Sequence, residues 1–358
     1  MVEKIKLEKV IEILKSTKGV GRVTIENFIE TYKNFDDMFV ISKLKNIEDE
    51  VDKLFHYYRE KGYPDYKKSN YNKQEVLRKI REYNEDNILN GEELAQTMHG
   101  LGFLWTYFPH WKEIKCGGAD NTLIENWNND EKLKKLIKKT YKWQIKHGNG
   151  RWTENRIRQN SKVYLNKQTV SNFRPTVAKY IYNNYGNKGK VWDMSCGFGG
   201  RLLGFLASNC QKYIGTEPSK KTYKGLNELR NDFDYVNKEV ELYKIGSEEF
   251  FVKEDIDLAF TSPPYFDTEK YSNEKTQSYI KYPTKDEWVN GFLKKTIDNV
   301  YQSLKVGGYF IINISKEFEE SVINLSNKFT LEDRLKLVLS SISGKGKKYE
   351  PVLVFRKV

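Results

Sequence analysis

The chain has 358 residues, 31% of them charged, and a formal net charge of +12, so it has room for two domains and suits a polyanionic partner. Three scattered cysteines, Cys116, Cys196 and Cys210, lack CxxC spacing, which argues against a disulfide framework or structural zinc and predicts a reducing, cytoplasmic setting. No apolar stretch approaches a membrane span, and the opening MVEKIKLEKVIEIL mixes both charge signs at helical spacing, so neither a signal peptide nor a membrane partner is expected.

From residue 1 to about 168 the apolar residues recur at helical period and strand-like runs are scarce. In VIEILKSTKGVGRVTIENFIETY two helical stretches flank Lys18-Gly19-Val20-Gly21. The segment resembles a helix-hairpin-helix, whose glycine turn offers backbone N–H groups to a phosphate. Lys18, Gly19, Gly21 and Arg22 are then candidate DNA contacts, and by itself the segment reads equally as an ordinary capped helix pair. Further on, His99, His110 and Trp111 in HGLGFLWTYFPHW lack a cysteine or acid at ligand spacing; they predict apolar packing, and no metal is expected. Residues 131–162 interleave lysines with Tyr141, Trp143 and Trp152. Most of those lysines read as the solvated face of a helix over Glu131–Lys146, yet Lys138, Lys142, Arg151, Arg156 and Arg158 are candidates for a phosphate track.

From about residue 172 strands and helices alternate, which predicts a mostly parallel, helix-covered sheet binding its ligand at the carboxyl ends of the strands. Expected strands are Lys190–Asp193, Tyr213–Thr216, Val240–Ile245, Ile256–Phe260, Tyr309–Ile314, Leu335–Ser340 and Val352–Phe355, with a helix over Lys285–Leu304 before the turn Val306-Gly307-Gly308. After the first of them, KVWDMSCGFGGRLLGFLAS sets Gly197, Gly199 and Gly200 between strand and helix. The segment lacks the third glycine of a dinucleotide fingerprint and the GK[ST] of a nucleotide triphosphate loop. Acids end this strand and the next, Asp193 and Glu217, and Glu217 is suited to a ribose diol. Such a loop takes a cationic nucleoside such as S-adenosylmethionine, or else is a generic glycine turn with surface acids.

The fourth strand leads into TSPPYF, residues 261–266. In this order the elements resemble the amino-methyltransferases that modify exocyclic nitrogens of DNA bases and carry a [DNS]PP[YFW] signature, here Ser262-Pro263-Pro264-Tyr265. The resemblance covers roughly residues 170–358, and FTSPPYFDTEKYS looks especially like methyltransferases of tailed phages and bacterial mobile elements. The family's loop is more often DPFxGxG; Asp193-Met194-Ser195-Cys196-Gly197-Phe198-Gly199 keeps the acid and both glycines.

The resemblance implies a Rossmann-like α/β fold with a seven-stranded sheet, S-adenosylmethionine as cofactor, and double-stranded DNA with a flipped base as substrate. It implies Ser262, Pro263, Pro264 and Tyr265 as catalytic residues. The implied cofactor contacts are Phe173, Arg174, Pro175, Asp193, Cys196, Gly197, Gly199, Glu217, Ser247, Glu248 and Thr261. An exocyclic amine is a poor nucleophile because its lone pair is delocalised into the ring. The Ser262 hydroxyl and Pro263 carbonyl are suited to accept its two N–H bonds, and Tyr265 or Phe266 to stack on the base.

Serine at the first position leans toward cytosine N4 over adenine N6. The expected division is a helix-hairpin-helix-like segment over 1–60, a helical, basic target-recognition region over 61–168 and the methyltransferase over 169–358. Two rivals stand beside this reading: an RNA base methyltransferase, and a non-catalytic DNA-binding protein with a vestigial cofactor fold. Whether a nuclease acts as a partner is left open by the resemblance.

Overall fold

The structure, a computed structural model, describes residues 39–40, 47–147, 151–166, 168–342 and 346–358. The expected helix-hairpin-helix, with Lys18, Gly19, Gly21 and Arg22, lies outside the described residues. Two compact units form: one from Met1–Asn70 and Lys115–Thr169, the other from Tyr71–Ile114 and Val170–Val358. The region expected over 61–168 is therefore shared between them, and residues 71–114 belong with the sheet. Among the described residues no helix is long and apolar enough to cross a membrane.

The first unit is helical, with helices Ile47–Lys61, Leu123–Asn128, Asp130–His147 and Glu154–Tyr164. Apolar residues at helical spacing, Val51, Leu54, Phe55 and Tyr58 on one and Leu133, Leu136, Ile137 and Tyr141 on another, turn inward. Tyr58, Trp127 and Trp152 are buried in this core. Trp152 Nε1 donates to Tyr58 Oη at 2.8 Å, and the Tyr58 and Trp127 rings meet edge to face at 5.5 Å.

The second unit is built on a nine-stranded sheet. Its strands are β1 (Leu89–Asn90), β2 (Glu93–Leu94), β3 (Lys190–Asp193), β4 (Lys212–Thr216), β5 (Glu239–Tyr243), β6 (Ile256–Thr261), β7 (Leu304–Asn313), β8 (Thr330–Ile342) and β9 (Gly346–Arg356), in the spatial order β1-β2-β8-β9-β7-β6-β3-β4-β5. Strands β5, β4, β3, β6 and β7 run parallel; β9 enters antiparallel to both β7 and β8. The order reverses beside the central β3, and ligands settle at such a switch point. The seven expected strands are present, and the short β1 and β2 extend the sheet along the edge of β8.

The helices that matter for the site are α1 (Pro175–Tyr185), α2 (Gly200–Ala207), α3 (Lys220–Asp232) and α4 (Lys294–Ser303). The single helix expected over Lys285–Leu304 is instead broken by a π-turn at Val289–Leu293. The expected turn at Val306–Gly308 is absorbed into β7, where the register to β6 shifts between Leu304 and Tyr309. One face of the sheet buries Trp192, Ala259, Phe310 and Leu353 against Trp288, Ile297 and Val300.

Candidate active site

At the carboxyl end of β3 the chain turns through Gly197 (φ +54°) and Gly199 (φ +71°) into α2. A Cβ at Gly200 would sit 1.9 Å from the Phe173 carbonyl oxygen, so only glycine admits this close approach. The buried Asn172 amide clamps the loop from the other side: Nδ2 donates to Phe198 O at 2.8 Å and Oδ1 accepts from Gly200 N at 3.2 Å. Three rings from residues 105–110 back Phe198, with centroids at 5.3 Å (Trp105), 5.5 Å (Phe108) and 5.9 Å (His110).

The loop opens onto a cleft with roughly 600 Å3 of empty space, part of it open to solvent. Gly197, Glu217, Ser247, Glu248, Ser262 and Pro264 all line it. Thus residues from four strand ends, expected separately as cofactor and catalytic groups, meet in one cavity.

The acids at the strand ends divide their work. Asp193 is fully buried, and its carboxylate accepts from Arg201 Nε at 2.9 Å, Tyr213 Oη at 2.7 Å and Ser195 N at 3.2 Å. It was expected at the cofactor; instead its charge is neutralised inside the protein and anchors the loop, as a buried carboxylate requires. Glu217 lines the cleft and accepts from Gly197 N at 3.1 Å and Ser219 N at 2.9 Å. Burial pushes its pKa up to about 7, against the opposing pull of those two N–H groups. Glu248 is buried, pairs Oε1 with Lys281 Nζ at 2.7 Å, and keeps Oε2 without a hydrogen-bond partner among the described residues. Gln277 Nε2, also of a cleft residue, is likewise buried and unpartnered. A buried donor and a buried acceptor left open beside one cavity are what a polar ligand satisfies.

Several expected contacts stand behind the cleft rather than along it. Phe173 meets Phe260 edge to face at 5.3 Å, Arg174 donates to Asn172 O at 3.0 Å, and Pro175 starts α1. Cys196 is packed under the loop, its thiol pushed well up by burial, and Thr261 is fully buried at the end of β6. In the SPPY motif Ser262 and Pro264 face the cleft, while Tyr265 Oη donates to Glu350 Oε2 at 3.0 Å. Phe266 adopts φ +53° and packs toward Trp288 at 6.3 Å, so its ring belongs to the core rather than to a base.

Sequence reasoning missed the far wall. Tyr271, Thr276, Gln277 and Ser278, from the stretch between SPPYF and Lys285, line the cleft, with Phe292 from the π-turn. Glu274 ties this stretch down: it accepts from Lys220 N at 3.1 Å and Ser219 Oγ at 3.3 Å, at the start of α3. The available signal was its length, since a long irregular connection in a compact domain is usually functional. Thr222 also lines the cleft, held by His110 Nε2 at 3.1 Å; burial lowers the pKa of that imidazole to about 4.

Of the basic candidates in the first unit, Lys138 pairs with Glu48, and Arg156 stacks on the Trp143 ring at 4.1 Å. Lys142 is exposed, and Arg151 lies in a two-residue strand paired with Phe39–Val40. Arg158 is a correction: its guanidinium is buried, donates to Pro64 O at 2.6 Å, and lies 4.3 Å from the Tyr66 ring. It is spent on the unit's interior and is not a surface phosphate contact.

The strand order and the glycine loop over the switch point define a Rossmann-like α/β fold. Residues 256–358 match the N6_N4_Mtase family model, described as DNA methylase, and this segment of the chain carries that amino-methyltransferase pattern. No curated protein matches the chain. Among solved structures it is similar to TrmN from Thermus thermophilus (12% identity, TM-score 0.39), covering 54% of this chain and half of that one. It is similar also to an rRNA methylase from Streptococcus thermophilus (13%, TM-score 0.36, covering 53% and 100%). A third is magnesium protoporphyrin IX methyltransferase from Synechocystis PCC 6803 with bound SAM (12%, TM-score 0.36, covering 51% and 77%).

Proposed function

We propose that the protein transfers a methyl group from S-adenosylmethionine to the exocyclic amine of a flipped DNA base, cytosine N4 before adenine N6. The observation that carries this reading is the cleft itself, which Ser262 lines together with Glu217 and Glu248. Glu217 would hold the ribose hydroxyls, and Glu248 Oε2 with Gln277 Nε2 would pair with the amino group and a ring nitrogen of the adenine. Bound there, the cofactor supplies an electrophilic methyl on a sulfonium leaving group.

The chain's own part is positional. Ser262 Oγ and the Pro263 carbonyl accept the two N–H bonds of the target amine, which pulls nitrogen toward tetrahedral geometry and frees its lone pair. No general base has to act before transfer, because the nitrogen becomes acidic once methylated. A base paired in duplex cannot enter such a cleft, so the target nucleotide is flipped. The neutral, short serine side chain keeps a carboxylate away from cytosine O2 and N3, which favours cytosine. The basic amino-terminal region supplies backbone contacts to the nucleic acid.

The test is methylation of duplex DNA and of structured RNA, followed by digestion to nucleosides and mass spectrometry. N4-methylcytosine in DNA is the expected product, and transfer to RNA alone overturns the DNA assignment. Ser262→Ala is expected to bind cofactor like the parent and to lose about 100-fold in turnover, the scale of one lost transition-state hydrogen bond; unchanged turnover removes Ser262 from the chemistry.

A further inference from the structure

We infer that Asn313 is a positioning residue for methyl transfer: it takes the Ser262 hydroxyl proton, so that only the lone pairs of Oγ face the incoming amine. The inference rests on the methyl-transfer reading above. Asn313 ends β7 and Ser262 follows β6; the parallel register Ile312↔Thr261 brings the two side by side. Asn313 is buried. Its Nδ2 donates to the Pro351 carbonyl on β9 at 3.1 Å, which leaves Oδ1 turned toward the SPPY motif. Ser262 Oγ donates to that oxygen at 3.1 Å. Tyr265 Oη also stands 3.4 Å from it, but its single proton has the closer acceptor in Glu350 Oε2 at 3.0 Å. Three strands thus converge to settle where one hydroxyl proton points.

The direction matters because a hydroxyl is both donor and acceptor. A free Ser262 rotor can aim its hydrogen at the target nitrogen and occupy the lone pair that has to attack. With the hydrogen held by Asn313, Oγ can only accept, which is the polarity that activates an amine.

The experiment is a double-mutant cycle on the full-length protein, read as single-turnover methyl transfer to DNA, with cofactor affinity by calorimetry and melting temperature alongside. Asn313→Ala is expected to slow transfer about tenfold, the worth of one well-placed hydrogen bond, with cofactor affinity within about twofold of the parent. The decisive arm is Ser262→Ala/Asn313→Ala, which should be no slower than Ser262→Ala alone, because Asn313 acts through that hydroxyl. Asn313→Asp keeps an acceptor for Ser262; it should outpace Asn313→Ala, and it carries the same cycle if the alanine variant does not fold. Losses that multiply in the double variant, or an Asn313→Asp rate as low as that of Ser262→Ala, overturn the role of Asn313 while leaving the methyltransferase reading intact. A parent protein that binds cofactor yet methylates no DNA overturns both.

Discussion

Burial, opposed by only two backbone N–H groups, pushes the pKa of Glu217 up to about 7. A ribose diol brings two donors and favours the carboxylate, so cofactor binding should expel the carboxyl proton wherever it is still bound. We therefore expect proton release on cofactor binding that is larger at pH 6 than at pH 8, and an affinity that weakens as the medium is acidified through about pH 7. Calorimetry in two buffers of unlike protonation enthalpy measures this directly. Glu217→Gln should abolish the release, and pH-independent affinity in the parent would remove Glu217 from the ribose. The stability linkage has the opposite sign to an ordinary paired acid. With the folded pKa above the usual 4.5, the contribution is fully present below 4.5 and lost as pH rises through about 7. Asp193 and Glu217 were both legible in the sequence as strand-end carboxylates, but their division of labour was not. It depends on Arg201 and Tyr213 arriving beside Asp193 through the fold, and no spacing rule encodes a buried pair eight and twenty residues apart.

At the scale of elements, the strands were legible because each is a short apolar run bounded by turn residues. The two-residue β1 and β2 are too short to show any period, and their place along β8 is a long-range fact. The stretch after SPPYF escaped notice for a related reason: its own hydrogen bonds, such as Gln277 N to Glu274 O at 3.0 Å, close only turns and the four-residue helix Ser278–Lys281, too short to show a period. Tyr279 Oη reaches back to Ser272 O at 2.7 Å, while Lys281 at Glu248 and Glu274 at the amino end of α3 tie the stretch to the rest of the domain. There a carboxylate meets open N–H groups and the positive end of a 13-residue helix, an arrangement worth about 1 kcal/mol. Glu274 does not line the cleft, while its neighbours Thr276, Gln277 and Ser278 do. Glu274→Ala should thus loosen the wall and weaken cofactor affinity roughly fivefold, the equivalent of about 1 kcal/mol, with Glu274→Gln in between. Calorimetric affinities of the three proteins check this, and equal values would mean that the wall holds without its tie.

Across the whole molecule the +12 charge is the feature the sequence made plainest and the structure qualifies most. On the helix Asp130–His147, Lys134 pairs with Asp52 at 2.8 Å and Lys138 pairs with Glu48, so two lysines of the run answer to acids of the neighbouring helix. Exposed ion pairs of this kind are worth little to stability, and they also lower the field available to a polyanion. Lys135, Lys142 and Lys146 are exposed on the same helix and are the better candidates for phosphates. If they track the DNA backbone, each lysine neutralised should flatten the dependence of log affinity on log salt by up to about 0.9. The variant Lys135→Gln/Lys142→Gln/Lys146→Gln should therefore bind duplex DNA more weakly at about 50 mM salt, converge on the parent as salt rises, and bind cofactor unchanged. Fluorescence anisotropy on one labelled duplex across a salt series reads both affinity and slope. A parallel shift with no change in slope would mean that these lysines touch no phosphate.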